Sequence, residues 1–322
     1  MTDPNQLVAG LLESREARIL LEYDLKPVSG SRFQPTGFPD LGAALYPDPK
    51  GDGQRLLVES PQSMANRLEA VCWDPEASDL VQPLRGMPYV RISGDVESAS
   101  LLEAHRLNSP YVLADADFKK EFEAFAGLGK GVVSRPVYAA SLLHYDPNSL
   151  VHGSFMSNIK PGTARLERLL SSFIEAEGVQ IAASGGVKVD RNDASGRDAG
   201  GAGKGFGNVV YHRTEYVARR IFVSFTIDLA GLRGLRLPAE GTRFVALLAL
   251  FKIRAFVDGP MRLRSACDLE LEGRDPVRAR PTDFELPSRS ALAKALQETI
   301  SEARQAKCFA EPAMREVRYE AG

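Results

Sequence analysis

Apolar residues two positions apart mark the first strand of the chain. Ile19, Leu21, Tyr23 and Leu25 are spaced in this way, and Pro27 stops the run. Such alternation is typical of a strand with one buried face. Alternating or continuous apolar runs predict further strands at residues 55–60, 88–93, 179–183, 219–229 and 261–271.

Apolar residues three and four positions apart predict the helices. The stretch 163–177 carries such a stripe, and Gly178 is a natural stop after it. A strongly apolar helix is predicted at 242–257, with Thr242 as its cap and Gly259-Pro260 as its end. Other helices are predicted at residues 61–73, 98–107, 117–128, 136–145 and 289–305, and residues 1–15 are a short helix or a frayed end.

The main elements follow the order βαββαβ once the long insertions are set aside. The strands are those at 19–28, 179–183, 219–229 and 261–271, with the helices at 163–177 and 242–257. This order predicts an α+β fold of the ferredoxin-like, or RRM-like, class. Helices would cover one face of the sheet and leave the other free, and RNA-recognition modules use that free face. Fold alone does not establish function.

Composition excludes few classes of protein. The 322 residues are 44% hydrophobic and 25% charged, which fits a globular protein of one large domain or two smaller ones. The net charge of −2 shows no global basicity, although a local basic groove is enough for nucleic acid. Cys72, Cys267 and Cys308 form no metal-spaced pair and suggest a reducing compartment. The start of the chain lacks a signal-peptide pattern, and no apolar run is long enough to span a membrane, so we expect a cytoplasmic protein.

A glycine-rich segment, residues 184–216, is the most unusual feature of the chain. It has little apolar periodicity, and a loop of this length is either disordered or functional. A phosphate-binding loop is excluded because Lys204 is followed by Gly205 rather than Ser or Thr, and because a strand follows instead of a helix. The functional interpretation is an arm that reaches a polyanion or a neighbouring subunit.

The side chains of this arm fit a single-stranded nucleic acid. Cations can neutralise phosphates, Phe206 and Tyr211 can stack on or wedge between bases, and glycines permit close backbone approach. The candidate residues in and beside the arm are Ser184, Gly185, Gly186, Lys188, Arg191, Lys204, Phe206, His212, Arg213 and Arg219.

Two further groups are candidates for RNA contact. Arg32, Phe33 and Gln34 place a cation beside an aromatic ring in a loop that is expected to be irregular. The alternative is that Phe33 simply anchors this loop to the core.

The second group lies at the start of the helix after residue 60. Ser60, Ser63 and Arg67 could bind a phosphate at its free N–H groups. The alternative is an ordinary capped amphipathic helix.

Metal and nucleophile chemistry has little support in the sequence. The four histidines show no metal-ligand spacing, and no motif frames a nucleophilic serine. Asp146, Asp190, Asp193 and Asp198 could help a nuclease to bind Mg²⁺, but loop aspartates more often form turns. We therefore expect no catalytic residue, no metal and no cofactor.

Several long motifs resemble a known family. The segments 30–44, 56–74, 101–111, 145–153, 181–191 and 205–216 are similar to the RAMP-superfamily backbone subunit of the type I CRISPR Cascade complex, in its U subtype, also called G. The similarity extends from about residue 19 to residue 271.

The resemblance implies a hand-shaped single domain. Its palm would comprise about 17–30 and 163–271, with helical fingers at about 31–162, a thumb arm at about 184–216 and a helical extension at 272–322. Copies would stack head to tail along the CRISPR guide RNA, leave its bases free for target DNA, and contact other Cascade subunits. The role is non-catalytic.

Two other functions stay open from the sequence. One is a metal-dependent RNA-cleaving member of the same superfamily. The other is an assembly protein that makes no contact with RNA.

Overall fold

The computed structural model describes residues 3–38, 40–51, 53–128, 132–159, 164–192 and 207–321. Within these ranges the helices are α1 (Pro4–Glu13), α2 (Pro61–Ala70), α3 (Pro110–Leu113), α4 (Ala116–Phe125), α5 (Arg135–Tyr145), α6 (Pro147–His152), α7 (Leu229–Gly234), α8 (Ala239–Val257) and α9 (Arg289–Gln305). Single 3₁₀ turns lie at Gln82–Leu84 and Arg106–Asn108.

The strands of the first half of the chain are β1 (Arg18–Pro27), β2 (Gly37–Phe38), β3 (Gly42–Ala43), β4 (Leu45–Pro47), β5 (Gln54–Glu59), β6 (Trp73–Asp74), β7 (Asp79–Leu80), β8 (Tyr89–Gly94), β9 (Ser98–Ala99) and β10 (Ser154–Met156). Those of the second half are β11 (Ala164–Leu166), β12 (Leu170–Glu177), β13 (Gln180–Lys188), β14 (Val209–Val217), β15 (Arg220–Asp228), β16 (Met261–Arg264), β17 (Cys267–Leu271), β18 (Arg278–Arg280) and β19 (Met314–Tyr319).

An antiparallel sheet organises this mixed α+β fold. Its strands lie in the order β16-β17-β1-β15-β12-β5-β4, and β18 also pairs with β1. The alternation in β1 is that of a strand with one buried face, because Ile19, Leu21, Tyr23 and Leu25 are each at most 3% exposed. Strand β1 therefore confirms the prediction made from its spacing.

Helix α8 lies at the centre of the helical layer. Its residues 244–253 are all buried, and it contacts α1, α2, α6 and α9. The helix begins three residues earlier than predicted, with Pro238 as its N-cap. Thr242 lies inside the first turn, where its hydroxyl donates to the Pro238 carbonyl at 3.0 Å, so its assignment as the cap was wrong.

The helix predicted at 163–177 is wrong. The chain instead forms β11 and β12, and β12 lies between β15 and β5 in the central sheet. Leu170, Ser172, Ile174 and Ala176 are buried with period two. The apolar pairs at 169–170 and 173–174 imitate a helical stripe, but pairing with two neighbouring strands decides the structure.

Three other assignments also differ from the prediction. Residues 98–107 form β9, turns and the start of a 3₁₀ turn instead of a helix, and residues 261–271 form the β16–β17 hairpin instead of one strand. The loop expected to be irregular contains β2, β3 and β4. The C-terminal tail supplies β19, which pairs in parallel with β8.

Cys72, Cys267 and Cys308 are all buried and free of disulfides. Across the residues that the structure describes, none of the helices has the length and apolar character needed to cross a membrane.

A buried carboxylate joins α5 to α6. Asp146 is fully buried and caps α6, where it accepts from the Asn148 amide at 3.1 Å and from the Ser149 hydroxyl at 2.8 Å. Burial, with a smaller effect of the nearby Glu69, raises the pKa of Asp146 to about 6, against the opposing effects of the Ser149 hydrogen bond and of Arg106. The native state therefore binds this proton more tightly than the unfolded chain does.

This carboxylate predicts a pH dependence of stability. Its favourable contribution is complete below the ordinary pKa of 3.8 and is lost as pH rises through about 6. Relative to Asp146→Asn, the wild type should lose up to about 3 kcal/mol of unfolding free energy between pH 4 and pH 7. Urea denaturation at several pH values measures this difference. Parallel stability curves for the two proteins would contradict it.

Candidate nucleic-acid interface

A two-stranded ribbon, β13 and β14, stands apart from the central sheet. The strands pair in antiparallel register from Gln180 opposite Val217 to Lys188 opposite Val209. The strand predicted at 179–183 is thus present, but it belongs to this ribbon and not, as expected, to the central sheet. It also continues for five more residues, into the segment expected to be an arm. Lys204 and Phe206 lie outside the described residues.

The ribbon has two different faces because side chains alternate along each strand. One face is polar and aromatic and carries Ser184, Lys188, Tyr211, Arg213 and Glu215. The opposite face carries Ile181, Val187, Val210, His212 and Thr214. On this second face Ile181, Val187 and Val210 are 66%, 55% and 73% exposed.

Two glycines of β13 allow Tyr211 to lie directly against the backbone of the opposite strand. A Cβ on Gly186 would lie 3.3–3.4 Å from atoms of the Tyr211 ring, so this ring covers the glycine. A Cβ on Gly185 would lie 3.1 Å from the Tyr211 carbonyl oxygen. Tyr211 itself is 51% exposed. The glycines were predicted to permit close approach to the backbone. In this structure the group that approaches them closely is Tyr211.

The root of the ribbon is held by Phe33. Its amide donates to the Tyr216 carbonyl at 2.9 Å, and the Tyr216 amide donates to the Phe33 carbonyl at 2.9 Å. Phe33 and Tyr216 are only 1% and 5% exposed. Gln34 next to it bonds to Ala266 and Arg264 through its backbone. Because the ring of Phe33 is buried, its prediction as a base-stacking residue gives way to the anchoring alternative.

A buried carboxylate gathers the cations at this root. Glu215 is 4% exposed, and Arg213 contacts its Oε1 through Nε at 2.8 Å and Nη2 at 2.6 Å. Arg32 lies 3.5 Å from Oε2 of Glu215 and 3.5 Å from the Ser184 hydroxyl. Arg32 remains half-exposed, so Glu215 positions two guanidinium groups but neutralises only one charge.

The remaining cations predicted in this region are accessible to solvent. Lys188, Arg191 and His212 are exposed. The Arg219 side chain is 74% exposed, and its ion pair with Glu177 is long at 3.8 Å. Among the described residues none of the four is held in a close ion pair, so all four can approach a polyanion.

The predicted phosphate site at the start of α2 is satisfied internally. Ser60 caps the helix by accepting from the Ser63 amide at 3.2 Å, and the Ser63 hydroxyl donates to Glu59. Arg67 binds Glu59 at 3.0 Å and the Leu263 carbonyl at 2.7 Å. Glu59, which is fully buried, thus takes the place of the expected anion, and the capped-helix alternative describes this region.

The two acids that bind these arginines, Glu215 and Glu59, were not predicted from the sequence. Arg213 and Glu215 are two residues apart and so share a face of β14, but this segment was not predicted to be a strand. Glu59 binds Arg264 across 205 residues of sequence, and no local pattern gives that pairing.

The aspartates considered for a metal site have other roles. Asp146 is buried beneath α6, as described above. Asp190 accepts from the Asn192 amide at 2.8 Å and from the Gly207 amide at 3.2 Å. Asp193 and Asp198 lie outside the described residues. In the part of the chain that the structure covers, no three His, Cys, Asp or Glu residues are grouped so that they could hold a metal ion.

The chain matches the family model described as "CRISPR-associated protein GSU0053 (Cas_GSU0053)". The match covers residues 19–181, just over half of the chain. The chain therefore belongs to this CRISPR-associated family, which confirms the recognition made from the sequence motifs. No curated protein matches the chain.

Two solved structures align with most of the chain at low similarity. A chain of "CRISPR RNA-guided surveillance complex, pre-nicking" has a TM-score of 0.37 and 14% identity, and the alignment covers 95% of this chain and 96% of that one. "Crystal structure of Thermofilum pendens Csc2" gives a TM-score of 0.33 and 10% identity, with 92% and 78% covered. Both TM-scores are below 0.5, so neither likeness defines a function.

The Glu59 cluster predicts a large loss of stability when its centre is removed. Glu59→Ala leaves Arg67 and Arg264 without their shared partner, and breaking a buried pair costs about 3–5 kcal/mol. Urea denaturation measures this loss. Lys294→Ala, which removes an exposed pair with Glu298 on α9, is the control and should change stability by no more than about 0.5 kcal/mol. Equal effects of the two substitutions would contradict the central role of Glu59.

Proposed function

We propose that this chain is a non-catalytic CRISPR RNA-binding backbone subunit of a type I Cascade complex. Copies of it oligomerise along the guide RNA and present the spacer for pairing with target DNA, beside the other Cascade subunits. Membership of a CRISPR-associated family supports this function. The observation that carries it is the exposed, cation-bearing ribbon anchored at Phe33.

The ribbon has the character of a surface that needs a partner. A two-stranded hairpin alone is marginally stable in water. This one leaves Ile181, Val187 and Val210 more than half exposed, whereas Lys188 and Arg213 lie on its other face. In the proposed function the polar face meets the RNA backbone, and Tyr211 offers an aromatic ring to a base. The ribbon is then the thumb.

The order of strands supports a ferredoxin-like palm. Among β1, β12, β15 and β17, the neighbours are β17-β1-β15-β12, all antiparallel. We assign these four as the palm strands of a split βαβ arrangement. Helix α8 joins β15 to the β16–β17 hairpin. Since 163–177 is not helical, the first helix of the pattern comes from the proposed finger insertion, where α2 and α6 contact β12.

The aspartates support a non-catalytic role. Asp146 is buried and caps a helix, and Asp190 accepts hydrogen bonds from two backbone amides. Among the described residues, both carboxylates thus serve turns or a helix cap, the ordinary roles of a loop aspartate.

Removing exposed cations of the ribbon tests the RNA interface. The double variant Lys188→Gln/Arg219→Gln should bind CRISPR RNA at least about tenfold more weakly at 0.1 M salt, because two phosphate contacts are lost. The slope of log affinity against log salt should shrink by about 1.5–2. Fluorescence anisotropy across a salt series measures both values.

Arg274→Gln, in an exposed loop after β17, is the matched control and should behave like the wild type. A ribbon variant with the wild-type slope and affinity would refute the proposed interface. Parallel reactions with Mg²⁺ or EDTA should give no metal-dependent RNA products.

The filament is tested by RNA length. Purified protein mixed at low salt with CRISPR RNAs of increasing length should form particles whose mass rises in steps of one subunit, measured by mass photometry. Without RNA the steps should disappear. Protein that stays monomeric on long RNA would exclude a head-to-tail filament.

A further inference from the structure

A separate cleft of about 770 Å³ lies at the other end of the central sheet. It is lined by the first turn of α2, the 3₁₀ turn Arg106–Asn108, the β10–β11 hairpin and the start of β12. Ser171 at the start of β12 faces this cleft, whereas the ribbon follows Glu177 at the end of the same strand. Six residues of strand separate the two by about 20 Å. The cleft has the size of a small-molecule site.

The charge of this cleft is positive and unbalanced. Glu167 is the acid among the lining residues, and Arg135 holds it at 2.5 Å. Arg106 also lines the cleft and is paired with Glu69 at 2.6 and 3.1 Å. Arg165 and Arg168 also line the cleft, and neither side chain has a hydrogen bond or an ion pair among the described residues. Burial lowers the pKa of the Arg168 guanidinium, and the neighbouring Arg106 lowers it further. A half-buried cation without a counter-ion favours an anionic ligand.

A buried histidine is a second candidate donor at the cleft. His152 is 1% exposed and lines the cleft. Its Nε2 lies 3.0 Å from Nζ of Lys252, and the same ammonium donates to the Leu68 carbonyl and to Asn148. An ammonium has no acceptor, so Nε2 must accept and the ring proton must be on Nδ1.

This Nδ1–H has no partner in the described part of the chain. Burial, together with the charges of Lys252, Arg106 and Arg168, holds the pKa of His152 well below its ordinary value, so the ring is neutral. A buried donor without an acceptor is costly. An oxyanion in the cleft would supply that acceptor.

An aromatic ring completes the cleft. Phe155 pairs opposite Arg165 in the β10–β11 hairpin, and directly opposed residues share a face. Met156 and Ala164 on the other face are buried, whereas Phe155 is 51% exposed although it is large and apolar. An exposed ring beside a cation is the combination that stacks a base and holds its phosphate.

We propose that this cleft binds one nucleotide unit, with its phosphate on Arg168 and Nδ1 of His152 and its base on Phe155. Arg165 lies at the rim, beside the base, as a second cation for the phosphate. The inference does not depend on the proposed function, since it rests on a different end of the sheet and on residues that the ribbon does not use. The phosphate can come from a free nucleotide or from a nucleic-acid strand.

Calorimetric titration of the full chain tests the site with uridine 5′-monophosphate, inorganic phosphate, uridine and a short oligouridylate. Arg168→Gln should weaken every phosphate-bearing probe at least tenfold. Phe155→Ala should weaken the nucleotide at least fivefold but leave inorganic phosphate unchanged. Arg274→Gln is the control and should match the wild type. Thermal unfolding of each variant shows that it is folded.

The outcomes separate the two sources of the phosphate. Comparable binding of the mononucleotide and the oligouridylate supports a free nucleotide, and binding of the oligouridylate alone supports a strand. Wild-type affinity in either Arg168→Gln or Phe155→Ala overturns the site. The ribbon variant Lys188→Gln/Arg219→Gln should keep wild-type mononucleotide binding, so failure of the cleft and failure of the RNA interface are distinguishable.

A second readout uses the wild type alone and avoids any question of misfolding. In protein with ¹⁵N-labelled histidine, the Nδ1 resonance of His152 should shift when phosphate is added, because Nδ1–H gains an acceptor. His144, which is packed against Phe125 and Tyr145 outside the cleft, should not respond. An unmoved His152 resonance overturns the assignment.

Discussion

The pair of backbone hydrogen bonds between Phe33 and Tyr216 is the constraint on which the candidate interface depends. They attach the ribbon to the segment that follows β1, an interior strand of the central sheet. Both rings are buried, so the fastening is part of the core and not a surface contact. Glu215 next to Tyr216 then fixes Arg213 and Arg32 at the base of the ribbon. Without these contacts, a strand pair with both faces exposed would be only marginally stable.

The sequence predicted elements whose signals are local and failed where distant pairing decides. Strand β1 and helices α2, α5 and α9 carry their own alternation, caps or stops, and each is found where the pattern placed it. Strand β12 carries adjacent apolar residues that suit a helix equally well. Its two neighbours, β5 and β15, lie more than 40 residues away, and their hydrogen bonds make it a strand.

The candidate site divides in the same way. The exposed cations of the ribbon were found because glycine and charge are concentrated in one short segment. The burial of Phe33 could not be found, since the residue that fixes it, Tyr216, is far away in sequence. The same holds for α2. Its serine cap could be predicted from the sequence, but nothing in the sequence marked Glu59 as the acid that binds Ser63 and Arg67. An arginine near a helix start indicates a phosphate site only if no buried acid already holds it.

Within the described residues, the ribbon is fixed to the body of the protein near one end, so it can act as a lever. From its root at Gln180 and Val217 to Lys188 and Val209, nine residue pairs span about 27 Å. A tilt of about 10° at Phe33 would therefore move the tip by about 5 Å, close to the spacing of neighbouring strands. Small adjustments in the core would therefore be amplified into large changes in the position of the tip.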